Sequence, residues 1–414
     1  MLSEYAIQHY KGNFILGISN GIFFNIGLAF LSGSTVLPIF MAHLTDSKVL
    51  IGLATSIENI GWHLPQLFVA AATIHYSKQL GVYTKAAILR AIAFLGIVVS
   101  IFLLGSQHNE LLLVLFFVLF TFFSVSGGLA AVSFIDIVGK TIPPNKRGTY
   151  FGMRMFFGGG LAALSGILVK TILGSYSFPT NFGLLFSLAL LTVIFGLGSF
   201  ALVKEPVLAN PRPHKSLKEN CREAFSLFQT DATYKLLFLV RITIGAFTLA
   251  YPFYILYAQK TLNIKPEAAG IFLSFEMLGY LISNILWAYL SNRINNRTVL
   301  LLSAVCSVLP PVIALTNSLF PLPLVLYALA FFFLGATNSG VFIGFFNYLL
   351  EIAPEEKRPL YVGFIHTIIF PTYFLSTLGG MIIQLTDFRI LFTLTLFLAL
   401  VSVYLSCRLL KFKK

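Results

Sequence analysis

Charge is scarce in this chain: 10% of its 414 residues are charged, against 57% that are hydrophobic. A soluble domain cannot hide that much apolar surface, which excludes the ordinary globular classes. Long polar stretches are also missing. The longest, Lys204 to Asp231, holds Pro206, Pro211 and Pro213 and reads as a linker, so no extramembrane domain large enough for a separate soluble activity is expected. The three cysteines, Cys221, Cys306 and Cys407, lack metal-ligand spacing. Disulfides and a structural zinc are therefore not expected, and the thiols read as small buried hydrophobes. Gly139-Lys140-Thr141 imitates the end of a phosphate-binding loop, but Phe134 stands where its first glycine is required, which argues against an ATP-driven machine. The first apolar block is too long for a secretory leader and lacks a small-residue cleavage site, so it reads as a span.

What the chain does have is twelve apolar blocks, at 14–41, 49–73, 86–104, 111–135, 149–173, 181–203, 234–258, 268–290, 298–316, 323–350, 359–384 and 387–407. Nearly all reach the length of about 20 residues that a helix needs to cross a bilayer. An all-α membrane protein with twelve transmembrane helices follows. The net charge of +13 is explained by where the cations fall. With the N-terminus in the cytoplasm, 21 of the 28 Lys and Arg, Arg90 among them, lie on or near the inner face, which places both termini inside and makes the charge an orientation signal. Nucleic acid is not an expected partner; the lipid bilayer is.

The blocks also repeat. Pro143-Pro144-Asn145-Lys146-Arg147-Gly148-Thr149-Tyr150-Phe151-Gly152 recurs as Pro354-Glu355-Glu356-Lys357-Arg358-Pro359-Leu360-Tyr361-Val362-Gly363, 211 residues on. Ser56-Ile57-Glu58-Asn59-Ile60-Gly61-Trp62 recurs as Ser274-Phe275-Glu276-Met277-Leu278-Gly279-Tyr280 at an offset of 218. One six-span unit is written twice, as 1–203 and 233–414 with 204–232 between them, and such pseudo-symmetry puts an axis through a solute pathway.

Twelve spans in two similar halves, cytoplasmic termini and a basic central loop resemble the major facilitator superfamily over essentially the whole chain. The turn Ala288-Tyr289-Leu290-Ser291-Asn292-Arg293-Ile294-Asn295-Asn296-Arg297 is similar to that family's Gly-x-Leu-Ser-Asp-Arg-x-Gly-Arg-Arg loop, with Asn292 in place of the Asp and Asn295 in place of the Gly. The counterpart after the second span, from Ile74 to Gly81, is more degenerate. The resemblance implies two pseudo-symmetric six-helix bundles and a secondary transporter. It also implies a cytoplasmic gate in which the loop's basic residues pair with an acid, here Glu351, near Arg293 or Arg358. Asn292 carries no charge, so this lock is expected to be weak. Arg297, Lys146 and Arg147 complete the expected gate, and the first half offers Asp136 and Lys140 where the second has Asn347 and Glu351.

Ionisable groups inside spans cost roughly 2.5–3.5 kcal/mol each on insertion scales, so each requires a partner, water or a proton. Glu58 and Glu276 are candidates for proton coupling or, equally, for structural pairing. Arg241 reads either as an anchor for a carboxylate or phosphate or as an ion pair with Asp136 or Glu351. Arg154 reads as a partner of Asp136. His366 is a candidate site residue, or a bonded neutral ring. Asn25, Asn338 and Tyr280 add hydrogen-bonding capacity on faces that the family turns toward its cavity.

Together these readings lead us to expect a secondary transporter, not an enzyme, moving a small organic solute by alternating access. It is expected to be a monomer in a bacterial inner membrane, with protons as a coupling partner and no cofactor or metal. Export of amphipathic or drug-like compounds, passive uniport and a membrane-embedded lipid-handling role stay open as alternatives.

Overall fold

The computed structural model describes residues 4–73, 76–105, 107–207, 225–354 and 358–411. All regular structure among them is helical, as a bilayer requires of a chain whose backbone groups must be satisfied within each segment. The helices are α1 (Glu4–Ala29), α2 (Val36–Leu44), α3 (Lys48–Thr73), α4 (Leu80–Leu104), α5 (Asn109–Thr141), α6 (Pro144–Ser175), α7 (Thr180–Ala201), α8 (Ala232–Gly245), α9 (Phe253–Leu262), α10 (Ala268–Arg293), α11 (Asn296–Leu319), α12 (Leu324–Ile352), α13 (Arg358–Ile368), α14 (Leu375–Leu385) and α15 (Phe388–Lys411).

Ten segments among the described residues are long and apolar enough to cross a membrane, counting Ala232–Leu262 as one. This establishes an integral, multi-pass membrane protein. The expected blocks at 49–73 and 359–384 are not among the ten. The first falls on α3. The second is cut by a 3-10 turn, Phe370–Phe374, into two helices of eleven residues each, too short to span alone.

Prolines mark where helices start and where they break. Pro144 opens α6 and Pro323 caps α12, positions where a missing N–H costs nothing. Pro252 ends an interruption between α8 and α9 that includes the 3-10 turn Ala246–Leu249, and Pro371 lies in the 3-10 turn between α13 and α14. Pro310 and Pro311, by contrast, stay inside the continuous α11.

The chain divides into two compact units: 1–46, 54–213 and 265–274 form the first, and 47–53, 214–264 and 275–414 the second. In the first, α4 packs along α5, and α1 along α6 and α7. Small and amide residues four and three apart on α1 make the latter contact: Asn13 exchanges bonds with the Lys204 backbone (3.0 and 2.9 Å), and the Asn20 amide donates to Gly196 O at 2.7 Å. In the second, α11 packs along α12 and α15. The two repeat-related tyrosines are both buried: Tyr150 lies against Gly17 of α1, and Tyr361 bonds through its carbonyl to the Tyr234 hydroxyl of α8 at 2.6 Å.

Candidate functional site

In the second unit the break between α8 and α9 lies beside α10. Backbone bonds there shorten to the 3-10 pattern, Tyr251 N to Thr248 O at 3.3 Å and Phe253 N to Ala250 O at 2.9 Å. From this break the Tyr251 hydroxyl donates to Oε1 of Glu276. Glu276 is 2% exposed and stands eight residues into α10, about 12 Å along the helix. Its face is held to α12: Ser283 and Ser339 share a hydroxyl bond of 2.7 Å, and the Trp287 indole donates to Ala336 O at 3.1 Å. Gly335 permits this approach, because a β-carbon there would overlap Glu276 O. Tyr280, half-buried, is one turn beyond Glu276.

Arg241 lies partly buried on α8, its guanidinium 5.5 Å from the Phe345 ring centre. Among the described residues of its own unit it has neither a hydrogen bond nor an ion pair, so the expected pair with Glu351 is not formed. The side chains of His366 and Arg358 lie outside the described set. Asn338 is exposed on α12.

In the first unit Arg154 does not pair with Asp136. Its Nη1 donates to Gly17 O and, at 2.9 Å, to Asn20 Oδ1, with the Tyr150 hydroxyl at 3.4 Å and the Phe134 ring centre at 4.6 Å. One backbone carbonyl, an amide and a phenol accept from this arginine, so it ties α6 to α1 without a carboxylate. Asn25 turns back on its own helix, donating to Gly21 O at 2.7 Å. Glu58 is half-buried on α3, ten residues in from Lys48, about 15 Å along the helix. The neighbouring α4 holds a residue that the charge topology puts at the membrane surface. Arg90 of α4 is 3% exposed, with its guanidinium 4.1 Å from the Phe123 ring centre, 5.1 Å from that of Phe24 and 5.5 Å from that of Trp62. The available signal was its place four residues past Ala86, the start of an apolar block.

Two polar clusters sit at helix ends. In the first unit, Lys140 bridges Asp136 and Glu205, the latter at 2.9 Å. Glu205, 4% exposed, also accepts from the backbone N–H groups of Gln79 (2.9 Å to each oxygen) and Leu80 (2.8 Å). It thereby caps α4, where the helix dipole favours an anion. Sequence reasoning missed Glu205 because it belonged to the expected linker. Arg147 donates to Gly139 O (2.6 Å) and Ile142 O (3.1 Å), stapling the end of α5, while Lys146 is exposed.

In the second unit the cluster is uncharged apart from one acid. Asn347 donates to Ser291 Oγ (3.2 Å), Ser291 to Asn296 Oδ1 (2.6 Å), and Asn296 to Glu351 Oε2 (3.2 Å). Glu351 thus meets an amide that sequence reasoning did not single out. Asn292 and Arg293 are exposed, and Arg297 lies over the Tyr348 ring at 5.2 Å. Asn295, standing where the related loop has Gly, caps α11 by accepting from Thr298 N at 2.8 Å.

No curated protein sequence matches the chain. A sequence model described as Major Facilitator Superfamily matches residues 236–413. Among solved structures, a D-xylose-proton symporter is similar with a TM-score of 0.74 at 15% identity, covering 97% of this chain and 98% of its own. The nucleoside transporter NupG is similar at 0.68 and 14% identity (99% and 100% covered), and a bacterial homologue of the iron transporter ferroportin at 0.69 and 14% identity (96% and 98%). Residues 236–413 match the sequence model of the Major Facilitator Superfamily, and the chain as a whole shares its fold with these solved transporters.

Proposed function

We propose that the protein is a secondary transporter that carries a small organic solute across the membrane by alternating access, coupled to protons. In this reading its spans number twelve, in two six-helix halves (1–203 and 233–414) joined by 204–232, with both termini in the cytoplasm of a bacterial cell. The observation that carries it is the bond from Tyr251 to Glu276. A broken span backed by a buried carboxylate is the arrangement in which unwound backbone and an ionisable group meet near the bilayer midplane. Glu276 is the group we assign to the proton.

Arg241, with the Phe345 ring over its guanidinium and no ion pair among the described residues of its unit, is the proposed anchor for an acidic group on the solute. The fold does not select the solute. Its neighbours include a xylose-proton symporter, a nucleoside transporter and a homologue of an iron transporter, so the substrate must be read from side chains. The clusters at Glu205 and Glu351 are the proposed inner gates, one charged and one largely neutral.

The test is uptake of labelled organic acids, sugars and nucleosides into proteoliposomes under an imposed pH gradient. Gradient-driven accumulation, lost in Glu276→Gln, is the expected result. Accumulation at the normal level in that variant would remove Glu276 from the mechanism, and transport that ignores the gradient would favour uniport. Extrusion of lipophilic cations alone would favour export.

A further inference from the structure

The face of α12 next to Arg241 carries more than the ring beneath its guanidinium. That ring, Phe345, is 4% exposed. Asn338 stands two helical turns before it and Phe342 less than one, so at about 100° per residue the three side chains fall within an arc of about 60°. They form one wall, with the guanidinium at its end. Asn338 is the middle residue of the 29 in α12, is exposed, and has no hydrogen bond among the described residues of its unit. An amide without a partner is costly against lipid tails, so this arc borders a space that holds water or solute. Phe342, 63% exposed, lies on the same arc between the amide and the guanidinium. Its ring runs nearly parallel to that of Phe346, at 13° with 6.3 Å between centres, which holds it as a flat surface.

We propose that the solute is an aromatic carboxylic acid with a hydrogen-bonding group on the side of its ring away from the acid. This rests on Arg241 as the anchor, the reading given above, and adds what the solute carries besides its charge. The carboxylate takes the guanidinium bidentately. The solute ring lies against Phe342, where an aromatic ring gains an offset or edge contact that a saturated ring lacks. The far polar group meets the Asn338 amide, which can donate through its nitrogen or accept through its oxygen. Length follows from the helix: the two turns from Asn338 to Phe345 rise about 10 Å, the reach of a substituted ring joined to its acid by a short chain. A neutral sugar would leave Arg241 without an anion. A fatty acid would leave Asn338 unpaired, and a site built to bond a polar group discriminates against ligands that lack it.

The test is binding to the purified full-length protein, with apparent Kd read from the rise in Tm with ligand concentration, and it needs no gradient. Para-hydroxyphenylpropanoate is expected to bind best. Phenylpropanoate, without the hydroxyl, is expected to bind roughly three- to tenfold more weakly, and cyclohexylpropanoate roughly two- to tenfold more weakly again. Para-ethylphenol, which has the ring and hydroxyl but no acid, is expected to give no shift. Equal affinities for the three acids, or no shift with any of them, would overturn the proposal without any variant having to fold.

Two variants then assign the contacts. Asn338→Ala is expected to erase the difference between para-hydroxyphenylpropanoate and phenylpropanoate, and Phe342→Leu the difference between phenylpropanoate and cyclohexylpropanoate. Differences that persist in these variants would overturn the wall as the binding surface. A shift with para-ethylphenol as large as with its acid counterpart would remove Arg241 as the anchor. The outcome is separate from that of the transport test: the expected order of affinities without proton-driven uptake would leave this site standing and remove the coupling, whereas gradient-driven uptake of another solute with no binding of these acids would do the reverse.

Discussion

Tyr251 and Glu276 are bonded side chain to side chain, the phenol donating to Oε1 of the carboxylate from the interruption between α8 and α9. A helix that breaks next to a buried acid links backbone rearrangement to the state of that acid, because the donor sits on the segment that is not held by regular helix bonds. Glu276→Gln keeps an acceptor for Tyr251 but removes the ionisable group. PH-gradient-driven accumulation is expected to be lost, while solute exchange without a gradient continues. Tyr251→Phe leaves the carboxylate short of a donor and is expected to cost about 1–3 kcal/mol of stability, read by thermal unfolding.

Glu205 serves three donors at once, the Gln79 and Leu80 amides and the Lys140 ammonium. Glu205→Ala uncaps α4 and leaves Lys140, whose side chain is 9% exposed, with Asp136 alone. A loss of about 2–4 kcal/mol is expected from the cap and the broken buried pair together. Glu205→Gln retains an acceptor for the amides and is expected to lose less.

Glu351 accepts from the Asn296 amide at 3.2 Å, so neutralising it breaks no charge pair between the two. Glu351→Gln is expected to change stability by less than about 1 kcal/mol. Asn296→Asp sets one carboxylate against another and withdraws the donor; it is expected to melt earlier than Glu351→Gln, and the gap is expected to narrow in high salt.

Gly335→Ala places a methyl group into backbone, at Glu276 O and Tyr280 N, where no side chain can swing away. Overpacking of this kind costs about 1–3 kcal/mol, visible in thermal unfolding and, through Glu276, in coupled uptake. Gly148→Ala, with nothing within 4 Å of the added carbon, is the control and is expected to be neutral or slightly stabilising.

Contacts that follow helical period were legible in the sequence. The spacing of Asp136 and Lys140 is one turn, and they pair. Gly340, Gly344, Asn347 and Glu351 share a face by spacing, and the structure turns the last two toward Ser291 and Asn296. Partners far apart along the chain were not legible. Sequence proximity pairs Arg154 with Asp136, yet it bonds to Gly17 and Asn20, more than 130 positions away. Charge topology places Arg90 with the cations of the inner face. The helix in fact begins at Leu80, which carries Arg90 about 15 Å inward. Glu205 falls in the expected linker because nothing local distinguishes a capping acid from a solvated one.

The sequence by itself determined that this chain is helical and crosses a membrane many times, and that short motifs recur in it at offsets of 211 and 218 residues. Those properties follow from composition and period, which each segment carries alone: an apolar run of span length has no stable alternative to a helix in lipid. The tertiary structure decided which partner each buried charge meets: a carbonyl and an amide for Arg154, three rings for Arg90, a phenol for Glu276 and a helix end for Glu205. The cost of burying a charge is set by the atoms within a few ångströms of it, and those atoms come from helices whose adjacency no local pattern encodes.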